Sequence, residues 1–379
     1  MSEIIAKYAC GHMGNMLKKK SEQTYLTKEN WNEHELKRDI GNDDFEEEIR
    51  NLNDDTTYLI DLGDFSKIKN DIIQMEEFNY NFELCPYKYP LINELVFVIE
   101  NNTYDFNWNE IMDIKIGFAI GSSLINGNSI PMEYNILLCN LLGKQIKENN
   151  NIIKIRCAFF ELLKNNFLNY SKFKNLNGFF FYQIPYHSMS ITITTETKNL
   201  KIKLKIKYRN IKDRSMTDIM HSSIQNTMYE MPIFGFNLKQ NLKQIDNLYK
   251  INFSLINKFL IIKIITDDYD LLNIQSINLY LNGTSPINFN IYQDEIHEMS
   301  LFDNKYIIIS LSPSFKNISE LQNNLRRGNI NQYGIDMSRI DKTQLEINDI
   351  SSNTDIDICS VYINIVRVMS GMMGAAFSI

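Results

Sequence analysis

The sequence predicts an all-β protein, built as two antiparallel β-sandwiches with a few short helices and preceded by a polar N-terminal arm. Three observations carry this reading. Apolar residues recur with a period of two over much of the chain. The strand-like runs are short and bounded by Asn, Asp, Gly and Ser, and they fall into two clusters of similar length. Alternating strands and helices, the mark of parallel βα units, are not the pattern here.

Residues 1–55 form the arm. They are polar and mixed in charge, with Lys18, Lys19 and Lys20 followed by Glu33 to Arg38 and then by Asp43 to Glu48. Apolar residues are too few there to build a core, so the segment reads either as a partly helical arm that orders against something else or as a mobile tail. From Thr56 onward the period becomes two. In the first cluster the strand candidates are 95–100, 114–120, 153–160 and 179–183, and Ile191 and Ile193 then alternate with Thr192 and Thr194. The clearest strand follows: Leu200, Ile202, Leu204, Ile206 and Tyr208 alternate with Lys201, Lys203, Lys205 and Lys207. One face is therefore apolar and the other carries four ammonium groups, as in a half-buried antiparallel strand. Between these strands, 132–147 reads as a helix with Ile136, Leu137, Cys139, Leu141, Leu142 and Ile146 as its apolar residues.

A polar stretch, 210–230, leads to the second cluster. Its strand candidates are 248–256, 259–266, 276–281, 306–311, 344–347 and 356–368, with a turn at Asn282-Gly283-Thr284 and a weaker helix over 319–327. Each cluster is about the size of one eight-stranded jelly roll. The resulting division is an arm over 1–55, a first sandwich over 56–215 and a second over 216–379. The halves share no strong sequence identity, so duplication rests on size and strand count alone.

Composition narrows the function. With 379 residues, 44% hydrophobic and 22% charged, the chain has the material for two ordinary cores. A net charge of −7 and a pI near 5.4 argue against a general nucleic-acid binder, while leaving room for a local basic patch. Cys10, Cys85, Cys139, Cys157 and Cys359 are scattered and odd in number, which suits reduced thiols better than a disulfide framework. The start, Met1-Ser2-Glu3, lacks the layout of a secretory signal, and no apolar run is long enough to span a bilayer. Abundant Ile, Asn, Lys, Tyr and Phe point to an AT-rich genome.

Recognisable chemistry is missing. His12, His34, His187, His221 and His297 are isolated from one another, and no phosphate-binding glycine loop or Gly-x-Ser-x-Gly elbow occurs. His187, in Ile184-Pro185-Tyr186-His187-Ser188, reads as a hydrogen-bonded structural histidine. Asp267-Asp268-Tyr269-Asp270 reads as a solvated turn, and Asp355 with Asp357 as two carboxylates on one side of a strand, facing solvent or a weak hard cation. Sequons at Asn101, Asn252, Asn282 and Asn317 are what chance supplies at this Asn content. Gly371 and Gly374 read as positions where a C-terminal tail packs too closely for a Cβ. No catalytic, cofactor-binding or metal-binding residue is assigned.

Two C-terminal segments carry a resemblance. Arg367-Val368-Met369-Ser370-Gly371-Met372-Met373-Gly374-Ala375-Ala376-Phe377-Ser378 follows a strand, and Met337-Ser338-Arg339-Ile340-Asp341 stands before another. In this order they resemble the close of the double jelly-roll major capsid proteins of large eukaryotic DNA viruses, virophages and polinton-like viruses, with Met337 where that family often has Phe. Weaker echoes are Ile116-Gly117 to Asn126-Gly127 with the helix after it, and 179–183 with Tyr186 to Ile191. The chain is shorter than typical members, implying short loops, and its arm does not match their usual opening.

What the resemblance implies is a non-enzymatic capsid structural protein without cofactors. Such a protein self-assembles as a homotrimer, a pseudo-hexagonal capsomer of six sandwiches that tiles an icosahedral shell. Its partners would be itself, neighbouring capsomers, minor capsid proteins and an inner membrane reached by the arm, with no specific nucleic acid. Its place would be the virion, after synthesis and assembly in the host cytoplasm. Arg339 and Asp341 would make a structural ion pair or turn. Two alternatives stand beside this reading: a transient poxvirus-type scaffold protein of the same fold, and a carbohydrate-acting β-sandwich protein, which would need an aromatic groove with paired carboxylates.

Overall fold

The computed structural model describes residues 66–375, apart from 75–78, 102–107, 122, 125–126, 128, 145, 150, 171–177, 196–199, 212–227, 246, 266–273, 294, 302–303, 313–317, 328–333, 349–353 and 370. The arm, Lys18 to Lys20 and the Asp267 to Asp270 group lie outside the described residues.

In the first half the chain runs β1 (Lys69–Gln74), β2 (Asn79–Leu84), β3 (Leu91–Asn101), α1 (Trp108–Met112), β4 (Lys115–Ile120), β5 (Ser123–Leu124), β6 (Ile130–Pro131) and α2 (Met132–Leu141). It continues through β7 (Lys147–Asn149), β8 (Ile152–Arg156), α3 (Ala158–Tyr170), β9 (Phe179–Phe180), β10 (Met189–Thr194) and β11 (Leu200–Arg209). A six-stranded sheet has the order β1-β11-β3-β8-β7, with β9 joined to β3. A five-stranded sheet has the order β2-β10-β4-β5, with β6 joined to β4.

The second half runs β12 (Met228–Leu242), β13 (Tyr249–Ile251), β14 (Ile256–Ile265), β15 (Ser276–Leu281), β16 (Ile287–Asn290), β17 (Ile296–Leu301) and β18 (Asn304–Ser310). Then come α4 (Ile318–Arg327), β19 (Ile335–Asp336), β20 (Thr343–Ile347), β21 (Asp355–Met369) and β22 (Met372–Ala375). Its seven-stranded sheet is ordered β12-β21-β14-β18-β17, with β19 on β14 and β22 on β21; its four-stranded sheet is β13-β20-β15-β16.

The two halves repeat one topology. Reading β1 as β12, β11 as β21, β3 as β14, β8 as β18 and β7 as β17 converts the first long sheet into the second. The short sheets correspond in the same way. A helix follows β8 and another follows β18. A short strand on the third member of each long sheet (β9, β19) leads into a 3-10 turn, Phe181–Gln183 in one half and Met337–Arg339 in the other. Duplication, invisible as residue identity, is therefore explicit as topology.

Several elements differ from expectation. The strand expected over 153–160 stops at Arg156, and α3 starts at Ala158, whose N–H is capped by the Asn135 side-chain oxygen at 2.9 Å. Helix α3 buries Ala158 to Leu163 together, so its apolar residues run consecutively and hide the helical period. Helix α2 ends at Leu141, not near 147, because Gly143 adopts φ +68° and Lys144 N–H returns to the Cys139 carbonyl at 2.8 Å. The run 179–183 is strand only at Phe179–Phe180. The run 248–256 divides into β13 and the first residue of β14, with Leu255 at φ +63° between them. Strand β12 was not among the expected strands; it carries Pro232 and Gly235, and as an edge strand it tolerates a proline. Strand β11 matches its pattern, with Leu200, Ile202, Leu204 and Ile206 buried and its lysines on the other face.

Candidate functional site: the seam between the sandwiches

The second sandwich has its own core, containing Tyr249, Leu260, Ile262, Ile307, Leu345 and Ile358 among others. The opposite face of the same seven-stranded sheet belongs to a different cluster. Phe236, Phe259, Ile261, Tyr306, Ile308, Cys359 and Val361 are continuous with the core of the first sandwich through α2 and α3. Strand β14 is thus covered on both faces, which is why its sequence is nearly unbroken Ile, Leu and Phe instead of alternating. Between the two halves lies packed side chain. Phe159 of α3 sits edge-on to Phe236 of β12 at 6.0 Å between centroids and also packs on Phe118 at 4.6 Å. Leu321 and Leu325 of α4 join the same cluster.

A carboxylate paired with the other half is buried in this seam. Glu133, in the first turn of α2, accepts from Lys263 Nζ at 2.8 Å and from Tyr306 OH at 2.6 Å. Both donors belong to the second half. Tyr134 meets the Tyr306 ring edge-on at 6.3 Å. Asp357 stands close by and accepts from Asn241 N–H at 2.7 Å. Burial raises its pKa, and the Asn241 bond and the Lys263 charge offset only part of that rise. Burial likewise pushes the thiol of Cys359 up, with the Glu133 charge adding to it, and pushes Cys157 up to about 12. These thiols are packing groups, not nucleophiles.

Glycines let backbones and rings close on one another at the seam. A Cβ on Gly235 would lie 2.3 Å from the Tyr362 ring, and one on Gly127 would lie 2.2 Å from the Tyr362 hydroxyl. Gly127 of the first half also bridges Phe236 of the second in parallel fashion. Tyr362 therefore spans the junction beneath two positions where no side chain fits.

The C-terminal segment makes the second attachment. Strand β21 turns back through Gly371 (φ +76°) into β22, pairing Met369 with Met372 and Val366 with Ala375. Met373 is buried in the first sandwich's cluster, with its carbonyl 2.9 Å and its N–H nitrogen 3.4 Å from His187 Nδ1. A Cβ on Gly371 would stand 3.0 Å from the Tyr186 ring. His187 is thus placed as a structural hydrogen-bonder. Gly371 is constrained as expected, whereas a Cβ on Gly374 would meet nothing, so close packing does not explain that glycine. Arg367, on the same strand, pairs with Glu230 of β12 at 2.5 Å.

The Met337 segment is a 3-10 turn. Asp336 accepts from Ser338 N–H at 3.1 Å, Met337 is buried in the second core, and Met337 N–H donates to the Leu255 carbonyl at 2.9 Å. Arg339 lies 3.7 Å from Asp336, so the acid it faces is Asp336 and not Asp341. Asp355 and Asp357 do not face open solvent together, since Asp357 is buried against Asn241. Among the described residues no group of three or more His, Cys, Asp or Glu side chains gathers as a metal site would require. Also among the described residues, no helix is long and apolar enough to cross a membrane.

Two jelly-roll sandwiches of one topology, joined side by side in one chain, define the double jelly-roll fold. Comparison with solved structures agrees. The PBCV-1 VP54 crystal structure, fitted into a cryo-EM reconstruction of the virophage Sputnik, is similar with a TM-score of 0.55 and 11% identity, over 86% of this chain and 100% of that one. The quasi-atomic model of the PBCV-1 virus capsid is similar with a TM-score of 0.52 and 10% identity, again over 86% and 100%. At such identities the shared property is the fold. No protein-family model matches the sequence, and no curated protein matches it.

Proposed function

We propose that this chain is a viral capsid structural protein that self-assembles as a homotrimeric, pseudo-hexagonal capsomer. The observation that carries the reading is the seam. A protein that only needed two sandwiches could join them by a linker. Here α2, α3, α4, Tyr362 and the β22 hairpin bind the pair into one apolar body, with Glu133 paired across it. Rigid side-by-side sandwiches suit a tile, because three copies around an axis present six similar units from one gene product. Similarity over 86% of this chain to the PBCV-1 capsid structures supports the same reading.

In this proposal residues 1–55 are an arm, 56–215 and 216–379 are the two jelly rolls, and no residue has a catalytic role. The partners are further copies of the chain, minor capsid proteins and an inner membrane, and the location is the virion assembled in host cytoplasm. Each subunit contact in the trimer should bury more than roughly 2,000 Å², as obligate oligomers do. Light scattering after size exclusion tests it. A trimer of the 44.5 kDa chain has a mass of about 134 kDa and should give six-lobed outlines in negative stain. A stable monomer at micromolar concentration, with no lobed outline, would defeat the proposal and favour a carbohydrate-acting sandwich.

A further inference from the structure

The repeated topology sets individual residues of the two halves in equivalent places. In each long sheet the third strand skips one residue where it pairs with the second: Asn93 between Ile92 and Glu94, and Lys258 between Asn257 and Phe259. The short strands β9 and β19 each join the two residues just before that skip. Counting from these bulges, Val98 takes the place of Lys263. Lys154 and Lys203, its neighbours across β8 and β11, take the places of Tyr306 and Asp357. The helix side of the seam repeats as well. Met132 N–H donates to the Ile114 carbonyl at 2.6 Å, and Ile291 N–H to the Gln275 carbonyl at 3.1 Å, each directly after the paired residues Pro131 and Asn290. Tyr292 therefore stands where Glu133 stands.

What differs is the covering. Glu133 is buried against Lys263 and Tyr306 of the following sandwich. Tyr292 is 79% exposed, the most exposed large hydrophobic side chain among the described residues. Ile72 takes the place of Leu238, which packs on the seam cluster, yet Ile72 is 57% exposed. On the face of the six-stranded sheet equivalent to the seam face, Glu94 and Glu100 are held by Arg156, Lys207 and Lys203. Lys154, Lys201 and Lys205 form no ion pair among the described residues. Net charge divides between the halves with opposite signs. Residues 56–215 hold 19 Lys and Arg against 16 Asp and Glu, a net +3, and 216–379 hold 12 against 17, a net −5.

We propose that the basic face of the first sandwich docks the second sandwich of another copy of this chain, with Tyr292 of one copy over Lys154 of the next. This contact rests on the capsomer reading: a covalent seam alternating with it closes three copies into a ring of six sandwiches. A second copy is the occupant that both observations select. It alone carries Tyr292 in the relation to Lys154 that Glu133 has to Tyr306, and its acidic half meets the basic half. A tyrosine ring suits this face, since it accepts an ammonium on its π surface and can anchor an interface. The exchange of apolar seam residues for lysines has a physical reason. The seam closes as the chain folds, whereas the copy contact must stay soluble until partners meet, and an apolar face would aggregate. The contact between copies is accordingly electrostatic and weakens with salt, while the apolar seam does not.

Photocrosslinking of the full chain tests it, with Tyr292→p-benzoylphenylalanine as the probe. Illumination should give covalent dimers and trimers in denaturing gels, with position 292 joined to the peptide holding Lys154 or to that holding Lys201 to Lys205. Two variants with side chains outside both cores, Tyr292→Ala and the triple change Lys154→Glu, Lys201→Glu and Lys205→Glu, should keep the parent circular dichroism. Each should raise the concentration at which light scattering loses half the trimer mass by about tenfold, and about 0.5 M salt should do the same to the parent. A monomeric parent would overturn this docking and the capsomer reading together. A trimeric parent whose mass neither variant changes, or whose cross-links stay within one chain or map elsewhere, would overturn the docking alone. So would Lys154, Lys201 and Lys205 that acetylate at free-lysine rates in the trimer, or that are protected only when phosphatidylserine vesicles or DNA are added.

Discussion

Replacing Glu133 by alanine tests whether the seam holds the halves together. The carboxylate is buried and serves two donors of the other half, Lys263 Nζ at 2.8 Å and Tyr306 OH at 2.6 Å. Truncation strands both donors in a packed apolar setting. Removing one partner of a buried pair costs about 3–5 kcal/mol. Lys263 keeps the nearby Asp357 charge, which places the expected loss at the lower end, about 3 kcal/mol. Glu133→Gln keeps the shape and an acceptor oxygen and should lose about half of that. Tyr306→Phe removes one donor and should cost about 1 kcal/mol alone, less in the Glu133→Ala background, so that the double-mutant cycle shows about 1 kcal/mol of coupling. Urea unfolding followed by both fluorescence and circular dichroism is the assay. The parent should unfold in one transition, and Glu133→Ala should move the midpoint or split the transition as the halves uncouple. A Glu133→Ala loss below about 0.5 kcal/mol with no coupling to Tyr306 would refute the reasoning, because an exposed, water-compensated carboxylate behaves that way.

Three further outcomes are expected. Gly235→Ala drives a Cβ to 2.3 Å from the Tyr362 ring and should destabilise by about 1–3 kcal/mol, with Tyr362→Ala in the same chain restoring part of the loss; thermal melts of the three variants decide it. Gly371→Ala, strained at φ +76° and 3.0 Å from Tyr186, should cost about 1–2 kcal/mol and expose Met373 to oxidation by dilute peroxide, while Gly374→Ala should change neither. Glu94 is buried, which alone would raise its pKa, but Lys207, Arg156 and Lys164 outweigh burial and hold it below 4.5. It therefore stabilises the fold above that pH and loses the contribution as pH falls through its folded value. Glu94→Gln should be less stable by about 1 kcal/mol at pH 7, and a gap that did not shrink near pH 3 would contradict this.

The sequence alone settled what each strand face must be. Leu200 to Tyr208 alternated with lysines because one face met a core and the other did not, and that relation survives in β11. It showed two clusters of strands, and its C-terminal motifs pointed to the fold that the structure has. Four things had to wait for tertiary structure. The first turn of helix α3 was read as the end of a strand and the rest was not read as helix, because consecutive burial erases the period that identifies a helix. Strand β12 was not expected, and only an open sheet edge and the Tyr362 ring explain its Pro232 and Gly235. Duplication was invisible because topology is kept by the pattern of pairing, not by residue identity. Lys263 and Tyr306 lie 130 and 173 positions from Glu133, so no local rule could join them to it. Local periodicity reports whether a face is dry or wet. Which dry face meets which is decided only when the chain closes, because apolar burial is non-directional and long-range partners are chosen by shape and by the few charges that must find a counterpart.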